Sequence, residues 1–384
     1  MVKLNILVLH STFLPDYTGS SIRLYNLLSR VPYNLSVITP NRKVNGEYFK
    51  LKSERIQNIE IKRVPSFSQD PIWKLPVLKQ YYHQKMIFNE TKRMHFDIIQ
   101  SRSIYPYMES AYRQHRKFNK PLIIEAHPTE DINSFYSFYL FKVLKILKSA
   151  SHIITLTNSL KKWVQDQYEI TEEKISVINN GVNNEKFKPQ DSHLNESLKE
   201  KLGNPEKIVM YAGYLDGING MDMLIKSAIS IIESNHQISF VFMGQGPYCD
   251  EIHKLSNDYP QIKVIPTVNH DLMPQYYQLS DVFVIPRPSN ISSELITPLK
   301  LLEAMSTESV VLGSNVGGIT EVIKNEKNGY LFEKGNFDSF KNSLITALES
   351  NNSKIAKNAR KTILNQYSWD KSAEKLKNVY DLIT

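Results

Sequence analysis

The sequence predicts an α/β fold built from two doubly wound domains with parallel sheets. Short apolar runs rich in β-branched residues recur along the chain, and stretches of helical period or polar loop separate them. A polar stretch divides the runs into two sets, and 384 residues suit two domains of ordinary size. Two such domains joined by a linker predict a cleft between them, with ligands at the carboxyl ends of the strands.

Each apolar run is interpreted as one strand. The runs of the first half are Leu4–Leu9, Leu35–Thr39, Ile59–Val64, Ile98–Gln100, Leu122–Ala126, Ile153–Leu156 and Ile175–Ile178. The runs of the second half are Ile208–Ala212, Ser239–Met243, Lys263–Ile265, Val282–Ile285, Val310–Gly313 and Tyr330–Phe332. Between the sets, Asn184–Pro205 is polar and shows no apolar period, which predicts a linker. The predicted domains are therefore residues 1–185 and residues 186–366.

The last segment of the chain, from Trp369 to Ile383, predicts an amphipathic helix. Its apolar residues at helical spacing are Ala373, Leu376, Val379 and Tyr380. Such a helix must dock on one of the two domains, and the spacing alone does not say which one.

The composition excludes several classes of protein. With 41% hydrophobic and 22% charged residues, the chain is neither disordered nor collagen-like. The single cysteine, Cys249, cannot form an internal disulfide and argues against a cysteine-ligated zinc site, which favours a reducing compartment. The first apolar run is too short for a signal peptide, and lysines interrupt the most apolar segment. We therefore expect a cytoplasmic protein that is soluble or peripheral to a membrane.

Four glycine-bearing turns follow predicted strands, where backbone N–H groups and a helix start can solvate an anion. They are Pro15–Ser21, which precedes a helix expected near Ile22 with Arg23 in its first turn, Gly213–Gly220, Met243–Pro247 and Ser314–Glu321. None is a dinucleotide fingerprint, and no Walker A loop is present. Each turn also fits an ordinary strand-to-helix loop, but four of them over both halves favour a phosphorylated ligand that bridges the cleft.

The sequence gives little sign of a metal site. No Asp-x-Asp pair is present, and the ten histidines show no H-x-x-x-H or H-E-x-x-H spacing. His127 ends a predicted strand at the edge where active-site loops emerge, so its imidazole can hydrogen-bond a sugar hydroxyl. A loop histidine with partners of its own fits the same position.

Pro298 predicts a helix start between Glu294 and Glu303. Lys300 would lie in the first turn and Glu303 one turn later, with the N-terminal dipole directed into the cleft. A cation and a carboxylate so placed can hold a phosphate and a pair of ribose hydroxyls. In isolation the motif also fits an exposed helix end.

Taken together, these motifs resemble those of the family 4 retaining glycosyltransferases of the GT-B fold, in the family's order and almost from end to end. The matching stretches are the Gly19 loop with Arg23, His127, Asn180–Pro189, Tyr211–Gly213, Gly244–Pro247, Asp281–Pro286, Thr297–Met305, Gly317–Glu321 and Tyr367–Trp369. The resemblance implies two Rossmann-like domains that face each other across a cleft. It also implies that residues 367–384 cross back onto the N-terminal, acceptor-side domain.

By this resemblance, the second domain binds a nucleoside diphosphate sugar, with UDP as the first expectation and without cofactor or metal. Attack from the front face would retain the anomeric configuration, and a donor phosphate oxygen would take the acceptor proton. The implied catalytic residues are His127, Glu294 and Lys300, with His127 on the donor sugar. The implied nucleotide-sugar residues are Gly19, Ser20, Arg23, Gly213, Asn219, Gly244, Arg287, Leu299, Gly318, Ile319 and Thr320, together with Glu303 on the ribose.

Two cations that are usual in this family are missing here. The family has Arg after the glycine of the second domain's first turn and Lys about five residues later, whereas this chain has Tyr214 or Leu215 and Asn219. We hypothesise that other basic residues neutralise the diphosphate. They are Lys300, Arg287 and Arg23.

Two further departures concern the glutamates and the first loop. Eight residues lie between Glu294 and Glu303, where the family has seven. This difference leaves open whether Glu294 is the sugar-binding partner. The second glycine of the first loop is replaced by Ser20.

Two functions from different classes fit these observations. The first is a hexosyl- or N-acetylhexosaminyltransferase that builds a surface polysaccharide or glycolipid on a glycan or lipid-linked acceptor. The second is a transferase-like subunit without turnover that binds a glycan or a partner enzyme, which the missing cations favour. A sugar-nucleotide epimerase or a sugar-phosphate transferase of similar fold is a minor option.

Basic and aromatic residues alternate in two segments of the first half, residues 73–93 and 135–147. Such surfaces can lie on anionic lipid, so we expect an anionic membrane surface as a partner, at the inner face of the membrane. Core-facing amphipathic helices whose lysine stems lie along apolar surface fit the pattern as well. The net charge of +8 is dispersed and no recognised nucleic-acid module is present, so nucleic acid is not an expected partner.

Overall fold

The computed structural model describes residues 3–43, 46–65, 76–104, 106–128, 137–190, 193–234 and 237–384, with the backbone alone for residues 76–80, 137–140 and 193–195. The chain divides into two compact units. Unit 1 is Met1–Asn179 with Trp369–Thr384, and unit 2 is Asn180–Ser368. The chain thus changes unit after Asn179 and after Ser368, compared with predicted boundaries after residues 185 and 366.

Unit 1 contains an eight-stranded sheet. Its strands are β1 (Asn5–Leu9), β2 (Asn34–Pro40), β3 (Ser53–Ile56), β4 (Ile59–Val64), β5 (Ile98–Arg102), β6 (Leu122–Glu125), β7 (His152–Thr155) and β8 (Ile175–Val177). Their order in the sheet is β3-β4-β2-β1-β5-β6-β7-β8. The helices are α1 (Gly19–Leu28), α2 (Pro76–Thr91), α3 (Tyr107–Phe118), α4 (Ser137–Ser149) and α5 (Asn158–Tyr168). The central strands pair in parallel and are buried almost throughout, as parallel sheets are when helices cover both faces.

β3 is a strand that the sequence analysis did not predict. It pairs antiparallel with β4 at the edge of the sheet, with Arg55 opposite Glu60. Its four residues alternate between exposed and half-buried, so it contains no apolar run. An exposed edge strand buries too little surface to need one.

Unit 2 contains a six-stranded sheet in which all strands pair in parallel. Its strands are β9 (Lys207–Tyr214), β10 (Ile238–Gln245), β11 (Ile262–Ile265), β12 (Val282–Ile285), β13 (Val311–Ser314) and β14 (Tyr330–Phe332), in the order β11-β10-β9-β12-β13-β14. The helices are α6 (His193–Lys201), α7 (Met221–Ser234), α8 (Cys249–Asp258), α9 (Met273–Leu279), α10 (Ile291–Leu295), α11 (Leu299–Ser306), α12 (Gly317–Thr320), α13 (Phe337–Glu349) and α14 (Ser353–Gln366).

Apolar clusters cover both faces of the second sheet. Alternate residues of β9 point to opposite faces, so Met210 lies in one cluster and Val209 and Tyr211 lie in the other. The strand order reverses between β9 and β12, so the carboxyl ends of these two strands flank the switch point of the sheet. Open α/β sheets bind ligands at such a point.

The predicted linker is only partly a linker. The polar stretch Asn184–Pro205 contains helix α6, which packs against α9 in unit 2. Leu198 on this helix lies against the buried cluster of the second sheet. The predicted linker therefore includes a helix of unit 2 at residues 193–201, which the sequence pattern did not reveal because a short helix needs few apolar residues to dock.

The last helix, α15 (Trp369–Leu382), packs on unit 1 against α1. Trp369, Leu376 and Tyr380 are buried, and the Tyr380 hydroxyl hydrogen-bonds Oε1 of Gln100 on β5. This confirms the predicted amphipathic helix and its return to the N-terminal half. The described residues include no helix that is long and apolar enough to cross a bilayer.

Candidate functional site

The carboxyl edge of the second sheet brings Gly213 and Lys300 together. Gly213 lies near the end of β9 with a φ of +142°, in the region that favours glycine. A Cβ on Gly213 would lie 2.4 Å from Nζ of Lys300, and a Cβ on Gly244 would lie 1.9 Å from the Gly213 carbonyl oxygen. These glycines are thus required because the ends of β9 and β10 and the lysine ammonium occupy the same small space.

Lys300 lies in the first turn of α11, whose N-cap is Pro298, as predicted. Its Nζ donates to the Tyr211 hydroxyl at 2.9 Å and lies 4.2 Å from the centre of that ring. Burial and the nearby charge of Arg287 lower the pKa of Lys300 to about 7, although Asp216 and Glu303 oppose the shift. The protonation of the Lys300 side chain near neutral pH therefore depends on what binds beside it.

Glu303 lies one turn further along α11 and is buried. Its Oε1 accepts from Nε2 of His270 at 2.9 Å, and its Oε2 accepts from the Tyr277 hydroxyl at 2.9 Å. Burial and the charge of Glu303 keep the pKa of Tyr277 well above its usual value, so this hydroxyl stays a donor. The carboxylate is therefore fixed in orientation by a donor on each oxygen.

Glu294, on α10, occupies the turn in which the sequence analysis expected an anion. Its Oε2 accepts from the Gly317 amide at 2.8 Å, and its Oε1 accepts from the Ser289 hydroxyl at 2.6 Å and from Nζ of Lys334. Burial alone would raise the pKa of Glu294, but the hydrogen bonds from Lys334 and Ser289 hold it below its usual range. These contacts give Glu294 an anchoring position, and its catalytic role stays a prediction.

The Gly317–Thr320 turn, helix α12, is packed tightly against α10. A Cβ on Gly318 would lie 2.2 Å from the carbonyl oxygen of Ile296. The Ile319 and Thr320 amides both donate to the Val316 carbonyl, and the Ile319 side chain is fully buried. Three amides of the turn, counting Gly317, thus already have partners within unit 2.

The residues at the two places where the family has Arg and Lys have different surroundings in this structure. Leu215 is fully buried, whereas Tyr214 is 53% exposed, so Tyr214 occupies the outward position after Gly213. Asn219 donates to Oδ1 of Asp216 from both its amide N and Nδ2, at 2.9 and 2.8 Å. Arg287 follows β12, and its carbonyl accepts from Ser314 at 2.7 Å.

In unit 1, the Gly19 loop is the N-terminus of α1. The helix begins at Gly19, three residues earlier than expected, and Thr18 caps it through a reciprocal pair of bonds with Ser21. The Ser20 hydroxyl lies 3.1 Å from the hydroxyls of Thr12 and Thr18. The N-cap is thus a threonine, and a cluster of hydroxyls surrounds the first turn.

Arg23 is buried inside unit 1, with 3% of its surface exposed. Its Nε donates to both carboxylate oxygens of Glu125 at 3.2 Å, and its terminal nitrogens donate to the Ile178 and Asn179 carbonyls. Burial opposes ionisation of Glu125, but the charge of Arg23 holds the pKa of Glu125 well below its usual range. These contacts fix the Arg23 side chain inside unit 1, close to the Gly19 loop in sequence. Its contact with a diphosphate stays a prediction.

His127 follows β6 and lies between two charged groups. Its Nδ1 accepts from Arg102 at 2.8 Å, which leaves the proton on Nε2, 3.5 Å from Oε1 of Glu125. Burial and the charge of Arg102 lower the pKa of His127 to about 4. The same two causes lower the pKa of His10 to about 4. His127 is thus a neutral imidazole at neutral pH, and its contact with a donor sugar stays a prediction.

The structure groups the predicted residues by unit. Gly19, Ser20, Arg23 and His127 lie at the carboxyl edge of the first sheet, and the others lie at that of the second. Sequence reasoning missed Arg102, Glu125, Tyr211, His270 and Tyr277. The one available signal was Glu125, a lone carboxylate that ends an apolar strand and therefore needs a buried partner. No group of three or more His, Cys, Asp or Glu side chains within the described ranges is arranged to hold a metal ion.

Comparison with known proteins identifies the family. The model for Glycosyltransferase Family 4 matches residues 20–186, and the model for Glycosyl transferases group 1 matches residues 195–362. An uncharacterized glycosyltransferase of Methanocaldococcus jannaschii is 30% identical over 246 residues, 60% of this chain and 60% of that protein. The UDP-Gal:α-D-GlcNAc-diphosphoundecaprenol α-1,3-galactosyltransferase of Escherichia coli is 31% identical over 242 residues. That match covers 61% of this chain and 60% of that protein. The matches thus span about 60% of the length of each of these two relatives.

A solved structure supports the same fold. The Anabaena protein HepE in complex with UDP superposes with a TM-score of 0.77 and 18% identity, over 99% of this chain and 100% of that one. At that identity the likeness shows the fold alone. The two family models adjoin near the end of unit 1, and together they cover most of the chain. The chain therefore belongs to the glycosyltransferases, with a family 4 half followed by a group 1 half, and it has the GT-B fold of two parallel-sheet α/β domains.

Proposed function

We propose that the protein transfers a hexosyl or N-acetylhexosaminyl group from a nucleoside diphosphate sugar to a glycan or a lipid-linked acceptor. The donor nucleotide is UDP in the first instance, because the structural neighbour HepE was solved with UDP. The product is a surface polysaccharide or glycolipid, as the name of the E. coli relative, which acts on a diphosphoundecaprenol-linked sugar, suggests.

The observation that carries this proposal is the ammonium of Lys300 in the space beside Gly213. It lies at the switch point of the second sheet, where open α/β sheets bind ligands. Arg287 adds a second positive charge close enough to lower the pKa of Lys300. Two cations are therefore present near the turn whose own cations are replaced by Tyr214 and Asn219, which is where a diphosphate needs them.

The proposed reaction retains the anomeric configuration and needs no metal and no protein nucleophile. The bond between the anomeric carbon and the diphosphate oxygen breaks, and the acceptor oxygen forms its bond on the same face. The acceptor proton passes to a phosphate oxygen of the departing diphosphate. Lys300 and Arg287 stabilise the charge that develops on this leaving group, and the absence of an Asp-x-Asp pair from the sequence fits a reaction without metal.

A lipid-linked acceptor would place the protein at the inner face of a membrane, and we propose an anionic membrane surface as its partner. Tyr81 and Phe141 are 62% and 65% exposed, and Lys85 and Lys145 are exposed near them in sequence. Large apolar side chains among lysines suit the interface of an anionic bilayer. Parts of both predicted segments, including residue 74, lie outside the described residues.

The test is a panel of UDP-, GDP-, ADP- and dTDP-sugars, each in its glucose and N-acetylglucosamine form. We expect one of them to raise the melting temperature by about 4 °C or more at saturation and to be hydrolysed slowly. Lys300→Met should remove most of the response, because the diphosphate loses its nearest cation. The matched control is Lys226→Met, which makes the same change on the exposed face of α7.

The panel also tests the alternative function. If no donor shifts the melting temperature or is hydrolysed, the transferase proposal is wrong, and a non-catalytic subunit that binds a glycan or a partner enzyme is favoured. If Lys226→Met weakens the response as much as Lys300→Met does, the place assigned to Lys300 is wrong.

A further inference from the structure

A series of polar side chains extends from Glu303 to the surface of unit 2, and the proposed transferase reaction does not involve them. Nε2 of His270 contacts the carboxylate at 2.9 Å, and Nζ of Lys186 lies 3.1 Å from Nδ1 of the same imidazole. Lys186 also donates to Oδ1 of Asp271 at 2.6 Å. A continuous line of polar contacts thus runs from the buried carboxylate to an exposed ion pair.

The two neighbours of His270 determine which of its nitrogens carries the proton. A carboxylate only accepts hydrogen bonds, so Nε2 must be the donor to Glu303. An ammonium only donates, so Nδ1 must be the acceptor from Lys186. These two contacts therefore select the tautomer that carries its proton on Nε2, and Lys186 opposes the other tautomer.

Packing holds the imidazole in the same place. The ring of Phe187 lies 5.3 Å from that of His270 and 6.2 Å from that of Tyr277, centre to centre. The Phe187 carbonyl accepts from the Ser306 hydroxyl at 2.6 Å, which ties this segment to α11. The stretch around Lys186 and Phe187, part of the motif Asn180–Pro189, thus positions His270 as part of unit 2.

This arrangement leaves Glu303 with a specific unused capacity. A carboxylate offers about four lone-pair positions, two on each oxygen. His270 takes one on Oε1, and Tyr277 takes one on Oε2. Within the described part of the chain, each oxygen therefore retains one lone-pair position, and a carboxylate held in this way fits two neighbouring hydroxyl donors, as in a cis-diol.

We infer that His270, held by Lys186, is a positioning residue that makes Glu303 selective for the 2′,3′-cis-diol of the donor nucleotide. The inference rests on the proposed function, since it takes Glu303 as the ribose-binding residue. His270 itself touches no ligand. Without it Glu303 rotates about its side-chain bonds, and the two remaining lone pairs no longer meet both hydroxyls at once.

The experiment measures dissociation constants by calorimetry for UDP, GDP and ADP and for the 2′,3′-dideoxy form of each. We expect the wild-type protein to bind one ribonucleotide about tenfold more tightly than its dideoxy form. His270→Ala should weaken binding of the ribonucleotide about tenfold and leave the dideoxy form unchanged, so that the selectivity disappears. Lys186→Met should reduce the selectivity about threefold, because the tautomer is then less strongly favoured.

Two variants separate positioning from general damage. His270→Gln retains an N–H donor near the position of Nε2, so it should restore most of the selectivity. Lys188→Met makes the same change as Lys186→Met two residues further on, at an exposed site, and should match the wild type. A merely structural role would weaken both nucleotide forms equally, and it would not be rescued by glutamine.

The outcomes distinguish the inference from the function on which it rests. If the wild-type protein binds none of the ribonucleotides, the proposed function fails and the inference fails with it. If the wild-type protein distinguishes the two forms and His270→Ala retains the full ratio, the function stands and the inference is overturned.

Discussion

A lysine buried against a tyrosine ring is a weaker base than a lysine in water, and Lys300 shows what this means for an anionic ligand. With a pKa of about 7, a substantial fraction of the Lys300 side chains in the free protein is neutral near neutral pH. A bound diphosphate favours the charged form and raises this pKa again. Above pH 7, binding must therefore be accompanied by uptake of a proton, and the observed affinity falls as the pH rises.

We expect the dissociation constant of the donor nucleotide to increase by up to about tenfold per pH unit between pH 7.5 and 9. Calorimetry at pH 8 in two buffers of different ionisation enthalpy should show proton uptake approaching one per site. Lys300→Arg keeps its charge throughout this range, so its pH profile should be flat. A wild-type profile that is flat, with no proton uptake, would contradict the assignment.

At the level of single residues, the sequence predicted where the charged groups lie but not how they pair. Pro298 identified the start of α11, and with it the positions of Lys300 and Glu303. The contact of Arg23 with a diphosphate stays a prediction, but its pairing with Glu125 was not predicted. That pairing joins residues 102 positions apart, and no local spacing reports a contact of such range.

Among the elements, α10 and α12 approach each other so closely that only glycine fits between them. A Cβ on Gly318 would lie only 2.2 and 2.7 Å from the carbonyl oxygens of Ile296 and Ser293. These are backbone atoms, which cannot move aside as a flexible side chain would. Glu294 ties the same two elements together through the Gly317 amide.

We expect Gly318→Ala to lower the free energy of unfolding of unit 2 by about 2–3 kcal/mol, through overpacking. Gly335→Ala is the control, because no atom of the described residues lies within 4 Å of its Cβ position and its φ of +75° is what opposes alanine. That strain costs about 1 kcal/mol. Urea unfolding followed by circular dichroism measures both changes, and equal losses in the two variants would refute the packing explanation.

Most elements could be predicted because each one buries an apolar face. All thirteen predicted strand runs coincide with strands, and the last helix was found at its predicted place. β3 and α6 were missed for the same physical reason, since an edge strand and a surface helix bury little. The two polar clusters at the sheet edges depend on the topology of the whole sheet, which local pattern does not reveal.

For the whole molecule, the net charge of +8 has two uses in the proposed function. A small part of it lies at the carboxyl edge of the second sheet, around Lys300 and Arg287. A larger part is dispersed over the first half, including the segments at residues 73–93 and 135–147. Such dispersed charge attracts anionic lipid in proportion to the number of basic residues near the surface, by about 1 kcal/mol each.

We expect Lys74→Glu with Lys79→Glu to weaken sedimentation of the protein with vesicles of anionic lipid at least tenfold, and to leave its small binding to neutral vesicles unchanged. The control is the pair Lys254→Glu and Lys263→Glu, which makes the same change of net charge in unit 2. If both pairs weaken binding equally, only the net charge matters and a specific membrane surface in the first half is excluded.

Helix α15 has a consequence for the order in which the protein is made. Unit 1 is assembled from both ends of the sequence, and α15 supplies the side chains that cover α1 and hydrogen-bond β5. A ribosome synthesises residues 180–368 before it reaches this helix. Of the two units, unit 1 is thus the first to leave the ribosome and the last to be completed, and until then the surface of α1 that α15 covers stays open.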